Sequence, residues 1–319
     1  MLPNIDGLHF LPYGAFMLRR PARHPAFGKA ILAVFSILLA GCATGEVDPG
    51  IPPMSFEQRC AQPGVVKCFG FDSQEETEPF IYPPYGMTTK RGRVVTDVKA
   101  SGAGSLRFEI PSNTGADTSG SFWQNFGTQF GEGEEFFVQW RQRFSPEMLS
   151  TYYADGHGWK QAIIGEGDRP GKTAYSCTQL EVVLQNGDQH GAPEMYHSCG
   201  GKDGKYDGLD RQVRWPRYKA NQWMTFQVSI KIGTWYRNDR RYHRDSTIRL
   251  WVAEAGQRSR LAVDQTRYDL ANDDPGARYG KIWLLPYHSN KNASQRHATA
   301  YTWYDELVIS RSRIADPDQ

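Results

Sequence analysis

Tyr287 and His288 adjoin where an aromatic run, 281–287, opens into a polar loop that also holds Lys291, Arg296 and His297. Tyrosine and histidine move protons in catalysis, and fixed cations beside them stabilise negative charge as it develops. The same residue types recur upstream. Gln139, Arg141 and Arg143 alternate along one run, and Lys160 follows His157-Gly158-Trp159. Glu181 and Gln185 share a face of another run, and Tyr196 adjoins His197. Together these groups describe proton transfer beside a bound anion, assembled from segments far apart in sequence. Each also has a plainer use. Arg141 and Arg143 suit a solvated strand face, His197 suits packing beside Cys199, and Asp305 suits a structural bond to loop backbone.

The segments that would position these residues read as strands. Runs 105–110, 135–144, 159–165, 179–185, 194–198, 222–232, 247–253, 281–287 and 300–309 are rich in β-branched and aromatic residues. In 135–144, Phe136, Val138, Trp140 and Phe144 share a face that Gln142 interrupts, while Phe137, Gln139, Arg141 and Arg143 share the other. In 222–232 the apolar face is Met224, Phe226, Val228, Ile230 and Ile232. Strict alternation in 300–309 puts Thr302, Tyr304, Glu306 and Val308 on one side and Tyr301, Trp303, Asp305, Leu307 and Ile309 on the other. The last two runs read most simply as a closing hairpin. No amphipathic helix and no internal repeat interrupts the series. This predicts one all-β domain over 56–314, made of two packed antiparallel sheets.

The formal charge is +2, from 37 Lys and Arg against 35 Asp and Glu, so no global field argues for a nucleic-acid partner. Arg19, Arg20, Arg23 and Lys29 flank an apolar run, 30–39, too short to span a bilayer comfortably. It ends in Leu39-Ala40-Gly41-Cys42, which resembles the lipobox of bacterial lipoproteins. The resemblance implies cleavage before Cys42 and a lipid on Cys42. With Ala43 next, it also implies export and retention at the outer membrane. Met17 stands just ahead of the basic stretch, so 1–42 reads as an upstream extension plus signal peptide. Residues 43–55, rich in Pro and Gly, read as a flexible tether. Cys60, Cys68, Cys177 and Cys199 remain, and an even number in an exported chain suggests two disulfides. Of the three connectivities, Cys60–Cys68 with Cys177–Cys199 is favoured because both bridges close short loops. A zinc site using His190 and His197 beside Cys177 and Cys199 fits no common spacing.

Three pieces in order carry a family resemblance: Asn221-Gln222-Trp223-Met224-Thr225-Phe226, Ile248-Arg249-Leu250-Trp251-Val252 as its strand partner, and Thr302-Trp303-Tyr304-Asp305-Glu306-Leu307-Val308-Ile309. They resemble the concanavalin A-like jelly roll, in particular the polysaccharide-lyase members of the heparin lyase I kind. The E-x-D-x-x-E strand of laminarinase-type glucanases is absent. Glu166-Gly167-Asp168 runs into Arg169-Pro170-Gly171, which removes the signature for two-carboxylate hydrolysis. The alginate-lyase motifs R-x-E-L-R, Q-I-H and Y-x-K-x-G are absent too, and Gln139-Trp140-Arg141-Gln142-Arg143 only echoes the first.

What the resemblance implies is a surface-anchored lyase that cleaves an acidic, uronate-containing glycan by β-elimination. Tyr287, His288, His197, Arg141 and Lys160 are then the catalytic candidates. Gln139, Arg143, Glu181, Gln185, Lys291, Trp159 and Tyr301 are the candidates for holding an acidic polysaccharide or oligosaccharide, with Trp283 as a further stacking ring. No cofactor is called for. Several relatives carry a structural calcium ion, but Asn272-Asp273-Asp274 is too short to claim such a site and reads as a turn. The rival from another class is a non-catalytic carbohydrate-binding lipoprotein on the same fold, which would show an aromatic platform without a proton-carrying pair. A structural envelope lipoprotein would show no groove.

Overall fold

Alternation of apolar and polar residues becomes strand after strand, and the apolar faces close on one another. The computed structural model of the chain describes residues 51–84, 87–116, 119–153, 158–166, 181–187, 192–198, 207–209, 217–234, 245–268, 270, 278–288 and 291–318. In chain order the elements are α1 (Phe56–Cys60), β1 (Val65–Phe69), α2 (Gln74–Thr77), β2 (Ile81–Tyr82), β3 (Arg93–Val95), β4 (Ser105–Ile110), β5 (Ser121–Phe130) and β6 (Glu135–Phe144). There follow α3 (Pro146–Ser150), β7 (Trp159–Glu166), β8 (Glu181–Gly187), β9 (Ala192–Ser198), β10 (Asp207–Leu209), β11 (Trp223–Lys231), β12 (Ser246–Ala253), β13 (Arg260–Tyr268), β14 (Tyr279–Tyr287) and β15 (Ala300–Ser310).

The strands form two antiparallel sheets. The first runs β13-β12-β11-β6-β15-β4-β3, with β1 added against the second half of β15. The second runs β10-β9-β8-β7-β14-β5-β2. This is the all-β jelly-roll sandwich expected. Phe136, Val138, Trp140 and Phe144 of β6 and Met224, Phe226, Val228 and Ile230 of β11 meet Ile164, Leu184, Ile282, Leu284, Phe122 and Phe130 of the second sheet in one core. Phe130 stacks on Phe136 across the layers at 4.6 Å between centroids. Each such side chain contributes roughly 1.5–3 kcal/mol by leaving water.

Gln142, which interrupts the apolar face of β6, ties the layers together. Its amide oxygen accepts from Gln161 Nε2 at 2.9 Å and from Trp140 Nε1 at 3.3 Å, and its Nε2 donates to Thr302 Oγ1 at 2.9 Å. Tyr218 OH donates to Gln161 Oε1 at 3.0 Å, and Tyr304 OH donates to the Gln161 carbonyl at 2.9 Å. Burial lifts both phenols well above their usual range, so they stay protonated donors.

Two expectations fail, each for a stated reason. β14 and β15 are not a hairpin: β14 lies between β7 and β5 in the second sheet, whereas β15 lies between β6 and β4 in the first. The loop between them crosses from layer to layer. Strict alternation in β15 also fails, because a bulge falls between Asp305 and Val308 and Glu306 takes φ of 51°. Tyr304, Leu307 and Ile309 all enter the core, while Asp305, Glu306 and Val308 lie on the outer side. β5 was not read as a strand at all. Gln124 and Thr128 interrupt the apolar parity of Phe122, Phe126 and Phe130, and Gly127 has φ of 75°.

The Cys60–Cys68 disulfide is present; Cys177 and Cys199 lie outside the described residues, as do Cys42, the signal segment and the Asn272–Gly276 turn. The bridge joins the end of α1 to β1. Helix α1 is begun by a capping box in which Ser55 Oγ accepts from Gln58 N and Gln58 Oε1 accepts from Ser55 N. Replacing both cysteines by alanine is expected to lower unfolding stability by about 2–3 kcal/mol, from the loop entropy of a short closed segment. Denaturant unfolding of the double variant checks this.

Candidate functional site

A bulge in β7 creates the site. Ala162 and Ile164 point into the core, so unbroken alternation would bury Lys160 with them. Instead the register with β8 slips between Lys160 and Ala162, and Gln161 and Ala162 both face inward. Lys160 is thereby turned to the outer face of the second sheet. There it pairs in register with Tyr287 on one side and Gln185 on the other, and Gln185 pairs with Glu194. The Lys160 ammonium lies 4.6 Å from the centroid of the Tyr287 ring. Both side chains are half-buried.

The next row across the same face is aromatic at both ends. Trp123, Trp283, Ile163, Val183 and Tyr196 are successive register partners on five strands. Trp123 meets Trp283 edge-on at 5.3 Å, and Tyr82, 41 % exposed, lies 4.7 Å from Trp123. Gly120, at φ of 71°, allows that approach, since a β-carbon there would collide with the Tyr82 carbonyl. Lys281 Nζ sits 5.3 Å from the Trp123 ring and 5.4 Å from the Trp283 ring. A face with a Lys–Tyr pair at one end and ring planes with a second ammonium beside it can hold a ring-shaped anionic ligand and move a proton on it.

The other candidates are dispersed. His288 follows Tyr287 but is fully buried on the opposite side of the strand, with its ring 5.1 Å from Trp159 and 5.7 Å from Tyr153. Trp159 is itself a core residue. Lys291 is buried and donates to the carbonyl and hydroxyl of Thr114, pinning its loop. His197 pairs with Val182, in a register row shared with the core residues Ile164 and Ile282; Glu181 pairs with Gly165 and Ser198.

Gln139, Arg141, Arg143 and Tyr301 belong to the outer face of the first sheet, across the sandwich from Lys160. Gln139 Oε1 accepts from buried Arg59, whose other nitrogen pairs with Glu306, and Arg141 lies 3.6 Å from the same carboxylate. Trp123, Tyr82, Lys281 and Glu194 escaped sequence reasoning. Trp123 was hidden with β5, but Lys281 could have been found, since it shares parity with Trp283 and Tyr287 along β14. Among the described residues, no three His, Cys, Asp or Glu side chains cluster as metal ligands.

No known protein family matches the chain's sequence, and no curated protein matches it. Solved structures do. An alginate lyase of the PL-14 class from Aplysia kurodai superposes with a TM-score of 0.56 at 14% identity, covering 77% of this chain and 98% of its own. An endo-β-1,4-glucuronan lyase from the fungus Trichoderma reesei gives 0.52 at 16% identity, covering 75% and 94%. An alginate lyase from a Chlorella virus gives 0.51 at 13% identity, covering 78% and 100%. At such identities the likeness shows a shared fold: this chain is a β-sandwich of the kind these polysaccharide lyases use.

The buried charges of the first sheet carry their own pH signature. Asp305 accepts from Ala100 N at 2.7 Å, Ser101 N at 3.4 Å and Glu306 N at 2.8 Å, the structural role foreseen for it. Burial nevertheless outweighs these bonds, and its carboxyl is pushed from 3.8 up to about 8. A carboxyl raised on folding stabilises most below its unfolded value, and that contribution is lost as pH climbs through the folded one. Asp305→Asn is therefore expected to flatten the loss of stability between about pH 4 and pH 8, by on the order of a few kcal/mol. Chemical denaturation of both proteins across that range checks it.

Proposed function

We propose that this protein is a surface-anchored polysaccharide lyase that cleaves a uronate-containing glycan by β-elimination at the outer face of the second sheet. The observation that carries the reading is the register pair Lys160–Tyr287, with the ammonium against the ring, on the same face as Trp283 and Trp123 of the neighbouring row. The solved structures it resembles include alginate and glucuronan lyases, whose polymers are built of uronates.

The chemistry follows from the groups. Lys160 neutralises the uronate carboxylate, which acidifies the proton on C5. Tyr287, entering as phenolate, takes that proton as the C4–O4 bond breaks. The freed electron pair forms the C4=C5 double bond, and Tyr287 returns a proton to the departing O4. Trp123, Trp283 and Tyr82 offer faces to the flanking sugar rings, and Lys281 offers a second cation to a neighbouring carboxylate. A non-catalytic sugar-binding reading rests on the same aromatic row, which would serve equally well without turnover.

The anchor is inferred from residues 18–42, with the lipid on Cys42. Cys42→Ala is expected to move the protein from the membrane fraction to the soluble one, read by fractionation and immunoblotting.

The activity test mixes the full-length protein in detergent with alginate, glucuronan, heparin, hyaluronan and pectate, and follows ultraviolet absorbance of the unsaturated uronate. Absorbance is expected to rise on a polyuronate. Tyr287→Phe and Lys160→Ala should each slow it by about 100-fold or more. Absence of any rise, with polymer still bound, would establish the binding reading instead.

A further inference from the structure

The outer face of the first sheet carries an organised row that the proposed lyase site does not use. Arg93, Arg107, Trp303, Arg143 and Trp223 are successive register partners across β3, β4, β15, β6 and β11. At the usual spacing of neighbouring strands the row spans about 19 Å. Leu106, Phe108, Tyr304, Phe144 and Met224, their neighbours in sequence, point the other way into the core. The row is therefore an outward stripe of three guanidinium and two indole groups, with the Trp223 indole donating to the Lys99 carbonyl at 3.0 Å.

Two features set the stripe apart from an ordinary solvated face. None of Arg93, Arg107 and Arg143 has a carboxylate partner among the described residues. Arg143 reaches only the Asn221 amide at 3.4 Å, and the nearby Glu109 is paired with Arg91 at 3.9 Å. The arginines are instead arranged against rings: Arg143 lies 5.8 Å from Trp303, and Arg107 lies 5.0 Å from Tyr301, which tilts against Trp303 at 5.9 Å. Stacked guanidinium groups keep their in-plane donors directed outward for a planar anion, which they bind bidentately. Trp303 Nε1 also lacks a hydrogen-bond acceptor among the described residues.

We propose that this stripe is a second binding site, on the face opposite the lyase site, for a linear acidic polysaccharide whose carboxylates or sulfates meet Arg107 and Arg143 while a sugar ring lies against half-buried Tyr301. Charge complementarity selects a polyanion, since three cations in line have no carboxylate partner among the described residues. A lipid headgroup surface fits less well, because Trp303 is only 8 % exposed and sits flush between its arginines rather than projecting to enter a bilayer. The ligand class is shared with the proposed function, but the residues are not.

The test is affinity electrophoresis of the full-length protein in native gels containing alginate or heparin. The background is Lys160→Ala with Tyr287→Phe, so that no polymer is consumed and the outcome does not depend on whether the protein is a lyase. Retardation by polymer is expected in this background. Adding Arg107→Gln and Arg143→Gln should weaken it about tenfold or more, with an unchanged melting temperature, and salt should abolish it. Equal retardation with and without the arginines would overturn the proposal. So would retardation by neutral dextran, or arginine-dependent binding to anionic phospholipid vesicles with none to either polymer.

Discussion

The hydrogen bond between Gln142 and Gln161 is the contact on which the site depends. It joins the two sheets inside a core that is otherwise almost wholly apolar, and every polar atom it brings inside must be satisfied. Thr302, Tyr218, Tyr304 and Trp140 complete it. A glutamine can face inward at position 161 only because β7 bulges there, and the same bulge turns Lys160 outward. On the other side Pro286, which has no N–H to give to the ladder, falls within the register slip between Leu284 and Tyr287. Structure and candidate chemistry thus share one irregularity.

The first sheet repeats the device for a different end. The bulge at Asp305 and Glu306 places two consecutive carboxyl groups on one outer face, Asp305 under the Ala100–Ser101 backbone and Glu306 under α1. Arg59 and Arg141 neutralise Glu306, while backbone N–H groups hold Asp305. Such a buried set stabilises little in net terms, yet losing one member costs about 3–5 kcal/mol because the remaining charge is stranded. The Cys60–Cys68 bridge follows Arg59 directly and ties the end of its helix to β1.

These two bulges also mark where the sequence was legible and where it was not. β6 and β11 could be read directly, since their apolar faces alternate without a break over most of their length. The sandwich followed from them, and Tyr287 and Lys160 were both singled out. What could not be read was which of several Arg, Lys, Gln and His side chains share a face. Gln139 and Arg141 look on paper like Lys160, a polar group beside a core position. The difference lies in what covers them, and α1 reaches Gln139 from 80 residues away. An extra residue in a strand leaves no local mark, so the parity of Lys160, Glu306 and Leu307 was out of reach. His288 was mistaken for a partner of Tyr287 because adjacency in sequence was taken for adjacency in space, whereas successive strand residues face opposite sides.

The separation of the two outer faces constrains how any polymer could use both. Packed sheets lie about 10 Å apart, and each outer face stands a further side-chain length away. A stiff glycan segment lying along the Lys160–Tyr287 row cannot reach Trp303 without passing around an edge of the sandwich. Contacts on the first sheet would therefore come from a distant stretch of the same chain, or from another chain. Holding a polymer by its remote part raises the local concentration of cleavable segments through the effective-concentration effect. It leaves the bonds made to the reacting uronate unchanged, so it acts on capture of long chains and not on the chemical step.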